Sequence, residues 1–502
     1  MTTALAALLA ALVLLPLLGH KLLAEWDEGI YAEVSREMLS GSWLAPHWNG
    51  QVWLEKPPLM LWITAIFFKL FGVSEFWARA GSAFSGIGLV ALLHGWLART
   101  RDLLTAWLST IILLATLGFL HVCHVGEMDV LLSLGACIAL IGLSGVESGR
   151  RGGWYLFWIG FAIAVMTKGA AAVSIPITAV LVAIVQRWKL REFGVAFAGG
   201  LLIFLALVLP WHLVMYRRFG SEFVAQYLGL HVFARATQQI EGHRTQWWYY
   251  GVVLLASAPP FVLLYPVAVY RGVRRSQLQC WAIFAVVTIC FFTLIQTRLP
   301  HYIAPAYPAL AVLTAVYVAD WLRNHGFNPF GTVGVAWGFG PTNRPMKGKG
   351  ALALGLATAA FWALSILATH STLKSLHSAD LAGPGLLDNK EADTLLRQAG
   401  VEQAPTGGPL LLLRERPVQS IATIVFYARR PVEQVQLVPI SSARPIDRYM
   451  FDPKPLNDLV GSEPRLILLD KSLVAQLPYN FLFAPVLSST TEELGSIVRM
   501  TK

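Results

Sequence analysis

The chain has 502 residues, 56% of them hydrophobic and only 14% charged, with a mean hydropathy of +0.57. A soluble domain carries about 25% charged residues, so this composition belongs to a polytopic membrane protein. The formal charge of +10 does not indicate nucleic acid, because the basic residues stand in short clusters between apolar runs, the positive-inside pattern of cytoplasmic loops.

Spanning a bilayer takes about 20 apolar residues. Residues 1–24 lack a basic leader and a small-x-small cleavage site, and read as a retained first span. Further spans are expected near 78–98, 104–122, 130–147, 154–167, 170–186, 194–214, 248–270, 279–296, 302–321 and 351–369, which makes eleven with the first at 4–24. Basic residues fill alternate connections: Arg99/Arg101, Arg150/Arg151, Arg187/Lys189/Arg191, Arg271/Arg274/Arg275 and Arg323 through Lys349. With those loops inside, the N-terminus is cytoplasmic and the C-terminus extracytoplasmic. The four cysteines (Cys123, Cys137, Cys280, Cys290) lie in or beside apolar runs at no metal-ligand spacing and read as small core hydrophobes.

Residues 25–77 form a first outer loop too long and too patterned to be a simple connection. "YAEVSREMLSGSW" has helical spacing, and "PPLMLWITAIFFKLFG" is an apolar stretch too short to span, expected to lie in the interface. The glycine-rich basic segment 322–350 reads as a cytoplasmic linker; its "GKG" lacks the strand, spacing and Ser/Thr of a P-loop. Residues 1–369 are therefore expected to be a transmembrane domain, and 370–502 a small α/β extracytoplasmic domain. Its strands are expected in "GPLLLLRE", "VEQVQLVPI" and "PRLILLDKS", and its helices in "KEADTLLRQAG" and "LVAQL".

Charges at a membrane edge are expensive and mark functional positions. Asp27 and Glu28 stand where the first span meets the outer face, and Asp129 begins another span on that face. N-capping would account for either acid alone. Lys56 precedes two prolines in "WLEKPPLM", which hold the backbone extended, although a snorkelling lysine fits the same position. Lys168, in "VMTKGAAAV", sits at an outer turn where glycine permits a reversal. "GLHVFARATQQIEGHRTQWWYY" gathers His231, Arg235, Glu241, His243 and Arg244, and "QTRLPHYIAPAYPAL" places Arg298, His301 and Tyr302 at the mouth of a span. Acids beside cations on one apolar face suit a reaction on a lipid phosphate. The cations hold the phosphate and stabilise charge as it leaves, and an acid orients or deprotonates the nucleophile.

The ordered segments "WDEGIYAEVSREMLSGSWLAPHWNGQVWLEKPPLMLWI", "EMDVLLSL", "MTKG", "LPWHLVMYRRFG", "EGHRTQWWYY" and "RLPHYIAPAYPALA" resemble the aminoarabinose transferase and protein O-mannosyltransferase superfamily, over about residues 15–320. The match is closest to the branch that modifies lipid A. The resemblance implies a type C glycosyltransferase fold, the bacterial inner membrane, and inverting transfer of a sugar from a polyprenyl monophosphate donor at the periplasmic face. It implies Asp27, with Glu28 beside it, and Asp129 as catalytic-loop acids. It further implies Lys56, Arg235 and Arg298 on the donor phosphate, and Tyr302, His301, Lys168 and Tyr31 around the donor or acceptor cavity. Glu55 and His231 resemble a pair able to hold a divalent metal ion. A monophosphate leaving group needs no diphosphate-neutralising Mg²⁺, so basic side chains suffice and no cofactor is required.

Sugar and acceptor (lipid, glycan or protein) stay open. A different class, a transporter or flippase of polyprenyl-linked sugar, shares the membrane setting. Such proteins often show internal repeats with broken helices at the midplane, whereas here no repeat is visible and the charges collect at one face.

Overall fold

The computed structural model describes residues 1–24, 26–189, 193–227, 229, 246–327, 390–399, 408–413, 422–436, 454–489 and 492–500. The chain forms two compact units. Unit 1 comprises Met1–Leu18, Leu54–Ile63 and Arg79–Lys374; unit 2 comprises Gly19–Trp53, Thr64–Ala78 and Ser375–Lys502. Unit 2 thereby joins to the tail two stretches of the first loop that a division at 369/370 assigns to the membrane domain.

In chain order the helices are α1 (Thr2–Leu14), α2 (Asp27–Glu37), α3 (Leu59–Phe71), α4 (Glu75–Thr100), α5 (Leu103–Leu114), α6 (Leu117–His124), α7 (Asp129–Glu147), α8 (Gly153–Lys168), α9 (Ser174–Val185), α10 (Val195–Val224), α11 (Tyr249–Ser257), α12 (Tyr265–Val273), α13 (Gln279–Leu294) and α14 (Ala306–Asn324). Unit 1 is helical, with α14 buried along most of its length from Ala306 to Leu322 and packed on α5, α12 and α13. Helices α7 and α8 approach through glycine: a Cβ on Gly142 would lie 2.5 Å from the Gly153 carbonyl oxygen, and one on Gly160 2.5 Å from that of Gly135. Close backbone approach through small residues is how helices gain dispersion contact where water supplies no drive.

The apolar run Gly153–Val185 is 33 residues long, too long for one straight crossing at 1.5 Å per residue. It reverses at Gly169, whose φ of 55° suits a residue without Cβ. Lys168 meets Asp129 at the start of α7, while Gln186, just past α9, donates to Glu147 at the end of α7 at 2.9 Å. α8 and α9 are therefore antiparallel arms of a hairpin.

Among the described residues five helical stretches are long and apolar enough to cross a membrane, or six if α5 and α6, bent by 66°, count as one. The expected span at 104–122 is this bent pair, and the expected span at 248–270 is divided into α11 and α12 around Pro259 and Pro260. The prolines supply no N–H donors, so the helical ladder stops there. The first helix ends at Leu14, short of the expected residue 24, and Leu17 beyond it has a φ of 68°. α10 carries an open apolar surface (Leu202, Leu207, Leu209) suited to lipid. The expected span 351–369 and the linker lie outside the described residues.

In unit 2 the tail supplies α15 (Lys390–Ala399), α16 (Ala422–Ala428), α17 (Leu456–Leu459), α18 (Lys471–Val474) and a six-stranded sheet ordered β5-β4-β3-β6-β8-β7. Its strands are β3 (Leu410–Leu413), β4 (Val432–Gln436), β5 (Lys454–Pro455), β6 (Arg465–Asp470), β7 (Phe481–Ser488) and β8 (Glu492–Arg499). β3, β4, β5 and β6 are parallel, and β8 and β7 are added antiparallel. β3 is buried at every position, as the continuous Leu run of a covered parallel strand requires. From the first loop come α2 and a two-residue hairpin, β1 (His47–Trp48) and β2 (Gln51–Val52), turned by Asn49 and Gly50 at φ 52° and 74°. Asn-Gly with both residues at positive φ is the turn whose twist matches paired strands.

Candidate active site

Asp129 is the first residue of α7 and only 1% exposed. Its carboxylate caps nothing: the N-cap is Met128, with no side-chain cap bond. Both oxygens instead accept from Lys168 Nζ, at 2.8 and 2.7 Å. That replaces N-capping as the account of Asp129. The ammonium also stands 5.3 Å from the centre of the Tyr302 ring, on whose face a cation is attracted. Tyr302 lies on the short 3-10 turn Pro300–Ile303 and packs on Phe292 at 5.3 Å between ring centres. Its neighbour His301 places Nδ1 3.6 Å from Glu127 Oε2, and the Glu127 carbonyl accepts from Ser82 at 2.7 Å.

Glu127, Asp129 and His301 offer ligand atoms within 4.8 Å of one another, and they form the one such metal-capable group among the described residues. Glu127 was not singled out in the sequence, where two acids spaced by one residue before a span were the available signal. The group already contains a cation, since Lys168 holds both Asp129 oxygens, so a metal would have to displace the ammonium. The residues present thus fit an internal ion pair better than a metal. Of the pair implied for a metal, Glu55 is buried in unit 1 and His231 lies outside the described residues, as does Arg235.

Lys56 is half-buried and followed by Pro57 and Pro58, directly before α3, where missing N–H groups cost nothing. Arg298 directs Nε and one terminal nitrogen to the Thr293 carbonyl, at 3.0 and 2.7 Å, and so closes the end of α13.

Unit 2 carries Asp27, Glu28 and Tyr31 on α2. Asp27 is not the cap expected of it: the cap is Trp26, at φ 67° and ψ −124°, and Asp27 is the first helical residue, half-buried. Glu28 is buried, and its Oε2 accepts from the Ala24 amide at 2.6 Å. That ties the incoming chain to the helix start. Tyr31 is buried edge-on to Trp53, 6.1 Å between ring centres. On the same helix burial pushes the Glu33 carboxyl up to about 7 against the pull of Arg36, which donates to both its oxygens at 2.7 Å.

Comparison with known proteins bears on this arrangement. The profile of the family described as dolichyl-phosphate-mannose-protein mannosyltransferase matches residues 55–213. The undecaprenyl phosphate-alpha-4-amino-4-deoxy-L-arabinose arabinosyl transferase of Serratia proteamaculans is 31% identical over 326 residues, covering 62% of this chain and 58% of that protein. The protein of the same name from Erwinia tasmaniensis is 33% identical over 334 residues, with 63% and 58% covered. The crystal structure of ArnT from Cupriavidus metallidurans bound to undecaprenyl phosphate superposes with a TM-score of 0.71 at 20% identity, over 98% of this chain and 97% of that one. The chain has the aminoarabinose transferase fold. It is a multi-pass helical membrane protein, similar in sequence to aminoarabinose transferases and spanning 58% of the length of the curated relatives named here. Within this fold, Asp129, Lys168, His301 and Tyr302 are brought together, although they are far apart in the aminoarabinose-transferase-like sequence.

Proposed function

We propose that this chain is an inverting glycosyltransferase of the bacterial inner membrane that moves 4-amino-4-deoxy-L-arabinose from undecaprenyl monophosphate to lipid A. The observation that carries the reading is the buried Asp129–Lys168 pair facing Tyr302, in a chain 31% and 33% identical to transferases named for that donor. In this reading eleven spans place the N-terminus in the cytoplasm, and the acids, Lys168 and the tail at the periplasmic face, as the alternating basic loops require.

The chemistry follows from the leaving group. A lipid A phosphate oxygen attacks the sugar anomeric carbon from the face opposite the donor phosphate. The bond between that carbon and the donor phosphate oxygen breaks, and undecaprenyl phosphate departs with the electron pair. Attack from the opposite face inverts the anomeric centre. Negative charge grows on the departing phosphate, where Lys56, Arg298 and Arg235 stabilise it. The acceptor phosphate is already ionised, so Asp27 orients the reacting groups and needs to remove no proton. Lys168 holds the Asp129 carboxylate in place, and the pair lines the cavity with Tyr302 and His301; Tyr31, on the helix of Asp27, is read as a sugar contact.

A second reading, the same transfer to a protein hydroxyl, is favoured by the mannosyltransferase family match; there Asp27 would be the general base. Mass spectrometry of lipid A and of accumulated polyprenyl-phosphate sugars, with and without the gene, separates the two. Loss of an aminoarabinose mass from lipid A supports the first reading, and unaltered lipid A with altered glycoprotein supports the second.

A further inference from the structure

Unit 2 brings the tail against the helix that carries Asp27, and the grips lie on both sides of that residue. Four positions before it, the Leu23 amide donates to Tyr427 Oη at 2.9 Å, and the Tyr427 hydroxyl donates onward to Glu75 at 3.3 Å. Glu75 also meets Arg397 of α15 at 2.9 Å. Two positions after Asp27, Gly29 lies against α16: a Cβ there would sit 3.1 Å from the Thr423 nitrogen. The Asn49 side chain pairs with the tail main chain in both directions, donating to Val432 O at 3.1 Å and accepting from Val432 N at 2.8 Å. Phe68 of α3 and Phe426 of α16 add a ring contact at 6.4 Å.

The chain between these grips is strained. Trp26, immediately before Asp27, holds φ 67° and ψ −124°, a region that a residue with a Cβ keeps only when its surroundings over-determine it. Its neighbours toward the N-terminus are fixed by Tyr427 and by Glu28, and those toward the C-terminus by the α2–α16 contact. Burial of the Tyr427 ring with Glu75 at its hydroxyl raises that phenol well above its ordinary value, so it stays a neutral donor.

We infer that the tail is a clamp that sets the position of Asp27, with Tyr427 and Asn49 as positioning residues and the Gly29–Thr423 contact as its seat. This rests on the reading of Asp27 as the working acid of the first loop. Neither positioning residue needs to touch the sugar. They act by removing the freedom of α2 to drift, and a displacement of about 1 Å at a reacting group costs about 100-fold in rate.

The test uses the full chain in lipid nanodiscs, with Tyr427→Phe, Asn49→Ala and the double variant. Two readouts are taken: transfer kinetics with undecaprenyl-phosphate aminoarabinose and lipid A, and amide hydrogen exchange. The clamp predicts that the double variant loses at least about ten-fold in kcat while the donor KM stays within about two-fold, with faster exchange across Asp27–Glu37 and unchanged exchange across Asp129–Glu147. Wild-type kcat, or unchanged exchange across Asp27–Glu37, overturns it. Should the double variant fail to fold, Tyr427→Phe, which keeps the ring, is judged by the same two readouts. Gly29→Ala, which pushes α2 off its seat rather than cutting a bond, is expected to give the same pattern. Wild-type transfer by Asp27→Asn would instead remove the reading of Asp27, and the exchange data would still decide the clamp.

Discussion

Lys168 Nζ lies 2.8 and 2.7 Å from the two oxygens of Asp129, and both side chains are almost fully buried. A buried pair of this kind gains little over apolar residues of the same shape, but breaking it strands a charge at a cost of about 3–5 kcal/mol. Its value is positional, since it holds a cation at a set place beside Tyr302. Asp129→Asn and Lys168→Met are each expected to lower the unfolding midpoint and abolish transfer. The double variant is expected to recover most of the midpoint and none of the transfer. Thermal unfolding in detergent, read beside transfer assays, checks this; a double variant less stable than both single ones contradicts it.

The same pair bears on metal dependence. With an ammonium already on both Asp129 oxygens, Glu127 and His301 gain nothing from a divalent ion there. A chelator is therefore expected to change the rate of Glu127→Gln by the same factor as the wild-type rate, within about two-fold. A chelator effect on the wild type that Glu127→Gln abolishes would show a metal at this group doing work the lysine does not.

Glu33 predicts a pH dependence of stability. Its folded-state value is raised from 4.5 to about 7 by burial. The folded state therefore binds the proton more tightly than the unfolded state does. The stability linked to that proton is fully present below 4.5 and is lost as pH rises through about 7. The unfolding midpoint should fall between about pH 5 and about pH 8, and Glu33→Gln should flatten that part of the curve. An identical slope in the variant would assign the dependence to another group.

A Cβ on Gly142 meets backbone atoms 2.5 Å away on α8, which no rotamer can relieve. Gly142→Val should force α7 and α8 apart at a cost of about 1–3 kcal/mol or more. It should also reduce transfer, because Asp129 and Lys168 belong one to each helix. Full stability and activity in this variant would argue against the close approach.

Much of this architecture is legible in the sequence because composition, loop charge and proline carry long-range information in a membrane protein. The reversal at Lys168 was readable from the following glycine, and three tail strands from their Leu and Val runs. The Asp129–Lys168 pairing was not, since 39 positions separate the two and helix patterning reports which face is apolar, not which charges meet. The hairpin at Asn49–Gly50 had a local signal, the Asn-Gly pair, hidden inside a stretch dominated by tryptophan and proline. β7 escaped because Pro485 argues against a strand; it sits on the edge strand beside a register shift, where a missing donor is tolerated. The joining of α2 to the tail crosses about four hundred positions, and no local pattern encodes it.

The proposed transfer of a sugar from a lipid monophosphate depends on Asp27 at the reacting centre. The most direct measurement incubates purified wild-type and Asp27→Asn protein with undecaprenyl-phosphate aminoarabinose and lipid A, and follows both lipids by mass spectrometry. The wild type is expected to produce lipid A heavier by one aminoarabinose together with free undecaprenyl phosphate, and folded Asp27→Asn to produce neither. Equal product from the two proteins, or none from the wild type, would contradict it.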